Sequence, residues 1–276
     1  MRNRENVKVG TDLNNNYKAL FLDMDGTILR HDHSISSKTK EAISIVQEKG
    51  IEVFLATGRP IHEIRETAEE LGIDSFIGYN GALGIYKGDV LFEKPMSSKI
   101  IDHYLQVAHS KGNEMVLYTD SFNLFTNLQN DKVKEFIHYF GLVHCKEFEQ
   151  TYRSQILGVT LINVEDDAIR EYEIENEDIY FAPVNVDGMG HCFDVIRNQV
   201  NKGVAIQHIL NRLNVSTSQA IAFGDGLNDI QMLRTVGAGF AMDNAHPDLF
   251  PYATHKTKSV EDEGVFYGLQ SLGLVK

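Results

Sequence analysis

The apolar runs in this chain are short, and at both of its ends each is followed by a stretch with helical spacing. Leu20, Phe21 and Leu22 form the first run. Residues 37 to 49 then read as a helix, with Ser36 or Ser37 as its cap, Gly50 as its stop, and Ala42, Ile43 and Val46 on one side. A second run, "IEVFLA" (51–56), leads to Pro60, which suits the first turn of a helix. Ile61, Ile64, Ala68 and Leu71 follow at helical spacing as far as Gly72, and "SFIGYNGA" supplies a third strand. The C-terminal part repeats the rhythm: "QHILNRL" as helix, "AIAFGD" as strand, "NDIQMLRTV" as helix, "AGFAM" as strand, and "EGVFYGLQSLG" as a closing helix. Continuous runs describe strands covered on both faces. Their alternation with helices predicts an α/β fold with a Rossmann-like parallel-sheet core.

The middle of the chain breaks the rhythm. "IYKGDVLFEK", "EMVLYTDSFNLFTN", "QILGVTLINV" and "IYFAPVNV" read as longer strands, with "SSKIIDHYLQVAHSKG" and "DKVKEFIHYFG" as helices between them. This predicts an α+β cap domain over 83–197, inserted into a core made of 17–82 and 198–276, behind a polar N-terminal tail over 1–16. Aromatic residues are dense in the insertion, among them Tyr118, Phe122, Phe125, Phe136, Tyr139, Phe140, Tyr180 and Phe181, and read as a second core.

Charge narrows the function. The net charge is −13 with no long basic block, which argues against nucleic acid as a partner, because that affinity comes largely from clustered Lys and Arg. No run of 18 apolar residues is present, so no membrane partner is expected, and "MRNRENVKVGTDLNNN" lacks the apolar stretch of a secretory signal. Two cysteines, Cys145 and Cys192, make no disulfide framework, and a reducing, cytoplasmic setting is expected, with the chain a monomer or homodimer.

In an open parallel sheet, ligands bind beyond the carboxyl ends of the strands. The first strand ends in Asp23, Asp25 and Thr27; the second in Thr57, Gly58 and Arg59; the third in Asn80 and Gly81. The late strand "AIAF" ends in "GDGLND", with Asp225, Asn228 and Asp229, and Lys202 stands in "NKG" at the start of the preceding helix. Asp23, Asp25 and Asp225 beside a lysine suit Mg²⁺, which takes oxygen ligands and commonly a phosphate oxygen. Thr57 and the Gly58 N–H can hold phosphate oxygens, and Lys202 can neutralise them. Asp23 then serves as nucleophile, while Asp25 protonates the leaving oxygen and later takes a proton from water.

Other readings of these motifs fail. A calcium loop from Asp23 would need an acid at Ser34, and one from Asp225 a ligand at Leu227. The dipeptide Gly-Lys of a Walker A loop does not occur, and "GMGHCF" has two of the three dinucleotide glycines. His31 and His33 flank Asp32 in what reads as a solvated loop.

"DMDGT", "TGR", "NKG" and "GDGLND", in this order, resemble the four motifs of the haloacid dehalogenase superfamily of phosphohydrolases. The insertion between "TGR" and "NKG" resembles the type 2 cap of the Cof-like branch, as do "YNGA", "DVI…NKG" and "AMDNAHP". The resemblance implies that Asp23 is nucleophile and metal ligand. Asp25 is implied as acid/base, binding the metal through its backbone carbonyl, and Asp225 as the third protein ligand. Asp229 would orient Lys202 or a metal-bound water. Thr57, Lys202 and Asn228 would contact the phosphoryl group, and Arg59, Asn80 and Gly81 would face the cap. "RNQVNKG" and "FPYATHKTKS" depart from the branch outside the catalytic set. In the cap, Asp187 and His191 of "VNVDGMGH" are candidates to reach a sugar hydroxyl, against the plainer reading of a hairpin turn. The expected activity is a Mg²⁺-dependent phosphatase acting on a small phosphorylated metabolite, a sugar phosphate, through an aspartyl-phosphate. A phosphomutase or phosphotransferase on the same core, and a non-catalytic sugar-phosphate sensor, are the alternatives.

Overall fold

The structure is a computed structural model and describes residues 16–165, 167–184 and 188–276. The predicted tail lies, except for Asn16, outside the described residues, and so does Asp187.

Five strands open the chain: β1 (Ala19–Leu22), β2 (Glu52–Ala56), β3 (Phe76–Gly78), β4 (Leu83–Tyr86) and β5 (Asp89–Glu93). Six more follow in the middle: β6 (Glu114–Tyr118), β7 (Asn123–Phe125), β8 (Cys145–Glu147), β9 (Gly158–Ile162), β10 (Ile179–Pro183) and β11 (Cys192–Arg197). The chain then returns with β12 (Ala220–Gly224), β13 (Ala238–Ala241) and β14 (His255–Lys256). The first and last groups form one sheet, ordered β14-β13-β12-β1-β2-β3-β4-β5, parallel from β14 to β3 and antiparallel beyond. The middle group forms a second sheet, ordered β10-β11-β9-β6-β7-β8. The hairpin over 83–93, read from the sequence as the start of the insertion, pairs with β3 and extends the first sheet. The change of sheet therefore falls after Glu93.

Helices cover the first sheet on both faces, and the strands show why. In β1, Leu20 and Leu22 pack with α1 (Ser37–Glu48), α2 (Arg65–Glu70) and α7 (Gly264–Ser271). Ala19 and Phe21 pack with α5 (Lys202–Arg212) and α6 (Ile230–Thr235). Successive side chains of a strand point to opposite faces, so a continuous apolar run serves two cores at once. The second sheet is served by α3 (Ser98–Lys111) on the face carrying Met115, Leu117, Val159 and Leu161, and by α4 (Asp131–Phe140) on the face carrying Val116 and Ile162. Ser36 caps α1, Ser97 caps α3 and Asn130 caps α4, each accepting an orphan N–H of the first turn. After Pro60 the chain makes a 3₁₀ turn (Ile61–Glu63) before the short α2, in place of the single predicted helix.

Two crossings join the sheets, and Arg197 ties them together. Its guanidinium donates to the Lys94 carbonyl at 2.8 Å and the Leu157 carbonyl at 2.9 Å. Tyr79, from the first sheet's side, donates its hydroxyl to the Thr119 carbonyl of the second at 2.6 Å. Glu63 accepts from the Asn123 amide at 2.7 Å.

Candidate active site

Four parallel strands of the first sheet release polar residues at one edge, and these meet around the end of β1. Asp23 follows β1 with its N–H still bonded to the Phe223 carbonyl, so the strand register carries its carboxylate to the sheet edge. Asn201 caps α5, accepting the Val204 N–H at 2.9 Å, and this makes Lys202 the first helical residue. Gly203 lets α5 lie against α6, because a Cβ there would sit 2.5 Å from the Gln231 carbonyl oxygen. Lys202 is thereby turned inward with none of its surface exposed. Its Nζ donates to Asp23 Oδ1 at 2.5 Å and to Asp229 Oδ1 at 2.6 Å. An ammonium has three protons, so one is left for a ligand.

Asp229 is fully buried, and its other oxygen accepts the N–H groups of Asp225 and Gly226, each at 3.0 Å. This shapes the "GDGLND" loop and aims Asp225 back at β1. Thr27 donates its hydroxyl to Asp225 Oδ1 at 3.1 Å. Gly26, at φ +76°, leaves room for that carboxylate, which any Cβ would overlap. Asn244, at the end of β13, donates to the Gly26 carbonyl at 2.8 Å and steadies the same turn.

The electrostatics follow from this crowding. Burial, reinforced by Asp229, holds the Asp23 carboxyl well above its usual range, against the pull of Lys202. Burial and then Asp229 push Asp225 up to about 6. Burial opposes the charge on Lys202, but Asp229 and Asp23 outweigh it and raise its pKa. Oxygens of Asp23, Asp225 and Asp229 lie within 4.8 Å of one another. Asp229 is already committed to Lys202 and two backbone donors, so Asp23 and Asp225 are the carboxylates that a hard cation would take. The donor set is all oxygen, its excess negative charge calls for a cation, and Mg²⁺ fits it.

The remaining predicted residues fall around a cavity of about 730 Å³ between the two sheets. Asp23, Asp25, Thr57, Gly58, Arg59, Asn80, Asp225 and Asn228 line its floor. The Thr57 hydroxyl accepts the Arg59 N–H at 3.0 Å, which leaves its own proton to donate. Asn228 donates to Asn80 Oδ1 at 3.0 Å, with Asn80 held in the left-handed region at φ 54°. Gly81 stands behind them, its Cα against the Asn201 carbonyl. Asp25 is not free. Arg59 grips it through a fork, Nε to Oδ2 at 2.8 Å and Nη2 to Oδ1 at 2.5 Å. His191 stands elsewhere, near Lys132 and Glu135 of α4, with its Nε2 buried and without a partner among the described residues. His31 and His33 are exposed, and His33 reaches the cavity rim.

The strand-end reasoning passed over several contributors. Asn244, just after β13, was open to that reasoning. Tyr118, Thr160 and Asp194 also line the cavity, from the second sheet, and there only the strand pairing reveals which way they face. Phe125 and Phe136 are buried in one core, and Phe136 also lines the cavity with Tyr118, Tyr139 and Phe140.

Known proteins are similar to this chain in sequence and in fold. A family model described as haloacid dehalogenase-like hydrolase matches residues 20–269. "Putative phosphatase YkrA" of Bacillus subtilis (strain 168) is 31% identical over 259 residues, 94% of this chain and 99% of the relative. The crystal structure of a hypothetical protein from Geobacillus kaustophilus HTA426 superposes with a TM-score of 0.84 at 29% identity, over 94% of this chain and all of that one. The subclass IIB sugar phosphatase BT4131 superposes with a TM-score of 0.77 at 25% identity, again over 94% of this chain and all of that one. With a matching model across most of its length and that arrangement at the end of β1, the chain belongs to the haloacid dehalogenase-like hydrolase family.

Proposed function

We propose that this protein is a Mg²⁺-dependent phosphatase that hydrolyses a small phosphorylated metabolite, a sugar phosphate, through an aspartyl-phosphate on Asp23. The observation that carries the reading is the buried Lys202 clamped between Asp23 and Asp229, with Asp225 alongside. In this reading the first sheet with its helices, over 17–93 and 198–276, is the core, and the second sheet caps it.

Asp23 and Asp225 would hold the ion, which supplies positive charge where a phosphate dianion must approach carboxylates. The third Lys202 proton, the Thr57 hydroxyl and the Gly58 N–H bind the phosphoryl oxygens, with Asn228 at the rim. The Asp23 carboxylate attacks phosphorus, a bond forms from its oxygen, and the bond from phosphorus to the ester oxygen breaks. The leaving oxygen takes a proton from Asp25. Asp25, now ionised, takes a proton from a water whose oxygen attacks the aspartyl-phosphate; inorganic phosphate leaves and Asp23 is restored. The Arg59 fork holds the Asp25 carboxylate in a fixed orientation at the cavity floor.

The test is turnover of p-nitrophenyl phosphate with Mg²⁺, lost on chelation and restored on adding the ion back. Asp23→Asn is expected to lower kcat by about 10³-fold or more, and Asp25→Asn by about 10²- to 10⁴-fold. Full activity in Asp23→Asn, or no turnover of any phosphate ester by the metal-loaded protein, would end this reading.

A further inference from the structure

The side of the cavity opposite Asp23 carries a polar row that the reaction does not use. Tyr118 on β6, Thr160 on β9 and Asp194 on β11 occupy three adjacent strands. Their neighbours Leu117, Val159, Leu161, Phe193 and Val195 belong to the core beneath α3. Strand alternation therefore turns the three polar side chains to the other face, where the cavity lies.

Thr160 and Asp194 are direct cross-strand partners, and Thr160 Oγ1 donates to Asp194 Oδ1 at 2.6 Å. The same hydroxyl lies 3.0 Å from Tyr118 Oη. A hydroxyl has one proton to give. Once Thr160 spends it on Asp194, Tyr118 must be the donor in the second bond. The row thus runs from Tyr118 through Thr160 and ends on a carboxylate. The second Asp194 oxygen has no protein donor among the described residues. Arg197, two positions on, is turned away to the Lys94 and Leu157 carbonyls. Burial raises the Asp194 pKa despite the Thr160 bond, the mark of a carboxyl short of partners.

Beside this acceptor stand flat apolar surfaces. Phe136, Tyr139 and Phe140 of α4 line the same cavity, with ring centroids 4.6 Å apart for Phe136 and Phe140 and 5.0 Å for Tyr139 and Phe140. Tyr139 keeps 51% of its surface exposed, an unusual share for a ring in a packed cluster. A sugar ring matches both features, since its edge offers hydroxyl protons and its C–H faces are apolar.

We infer that Asp194, held by Thr160 and Tyr118, is the specificity-determining acceptor for a sugar hydroxyl of the substrate, and that the α4 rings cover the sugar's apolar face. This rests on the phosphatase reading and adds to it the group that selects the leaving alcohol. Thr160 and Tyr118 are positioning residues, because they act through the carboxylate.

The test compares kcat/KM for the best of glucose, fructose and mannose 6-phosphate with kcat/KM for p-nitrophenyl phosphate, which has no hydroxyl proton to give. In Asp194→Ala the ratio is expected to fall roughly 10- to 100-fold, the range of a hydrogen bond to a charged group. Thr160→Val is expected to lower it about 3- to 10-fold through KM rather than kcat, because it loosens the carboxylate without removing it. Where Asp194→Ala does not fold, Asp194→Asn carries the comparison, since the amide keeps the shape and still accepts from Thr160. A ratio held within threefold overturns the assignment, including equal losses on both substrates. So does wild-type preference for p-nitrophenyl phosphate over all three sugars. Wild-type protein that hydrolyses no ester at all disposes of the phosphatase reading alone. Asp194 is then judged by calorimetry, as the loss of glucose 6-phosphate affinity in Asp194→Asn.

Discussion

Replacing Lys202 by methionine would remove one charge and little volume from a place with no access to water. Three acids, Asp23, Asp225 and Asp229, share this centre with one ammonium, so when all are ionised two negative charges are in excess. The substitution leaves three. Breaking a buried ion pair from one side costs about 3–5 kcal/mol, because the stranded charge stays desolvated. Against a typical folding free energy of about 5–15 kcal/mol this is a large share. With a urea slope of about 2–3 kcal/mol/M, the unfolding midpoint falls by about 1–2.5 M. The double variant Lys202→Met/Asp229→Asn removes an acid together with the cation and returns the centre to two negative charges. It should therefore be more stable than the two single losses predict, by about 1–3 kcal/mol. The assay is urea unfolding of the four proteins without divalent ions. A loss below about 1 kcal/mol for Lys202→Met, or additivity within about 0.5 kcal/mol, would refute the argument that Lys202 is held by charge rather than by packing.

Two further outcomes follow. Gly26→Ala forces a Cβ into the Asp225 carboxylate at φ +76°, at a backbone cost of about 1–2 kcal/mol. The Mg²⁺ concentration for half-maximal activity should rise about 10-fold, and an unchanged requirement would show that the turn has slack. His62 is buried with neither ring nitrogen hydrogen-bonded among the described residues, and His144 stands edge-on with centroids 5.7 Å apart. Burial lowers its pKa below the ordinary 6.5. The unfolded state then binds the proton first, so stability present above pH 6.5 is lost as pH falls through the lower folded value. Melting curves between about pH 7 and 5 should show a smaller fall for His62→Gln than for the parent protein, and parallel curves would exclude His62 as a source.

Much of the core could be read locally, because the information is local. A run such as "ALFL" tells its own story: four apolar residues in a row need cover on two faces, and helices on both sides of the sheet provide it. Ser36 and Gly50 mark the ends of α1 through the conformations that their own side chains or lack of one permit. The strand-end rule brought Asp23, Thr57, Asn80 and Asp225 to one cavity because a parallel sheet lines up its carboxyl ends.

Other features depend on pairing across the chain. "IYKGDVLFEK" has the alternation of a hairpin, and nothing within it says which sheet it joins; β3 decides that. "CFDVIR" is not among the strands read from the sequence, although it is the strand that carries Asp194. The grip of Arg59 on Asp25 and the contact of Asn80 with Asn228 arise from side chains that no spacing rule connects. By itself the sequence determined which strands are buried and which chemical groups stand at their ends, since both depend on a few neighbouring residues. Only the tertiary structure decided that Lys202, 179 positions from Asp23, lies dry between two acids, and that Tyr118, Thr160 and Asp194 face the cavity rather than the core. Burial and strand register are properties of the assembled sheets, and each side chain's charge and direction are set there.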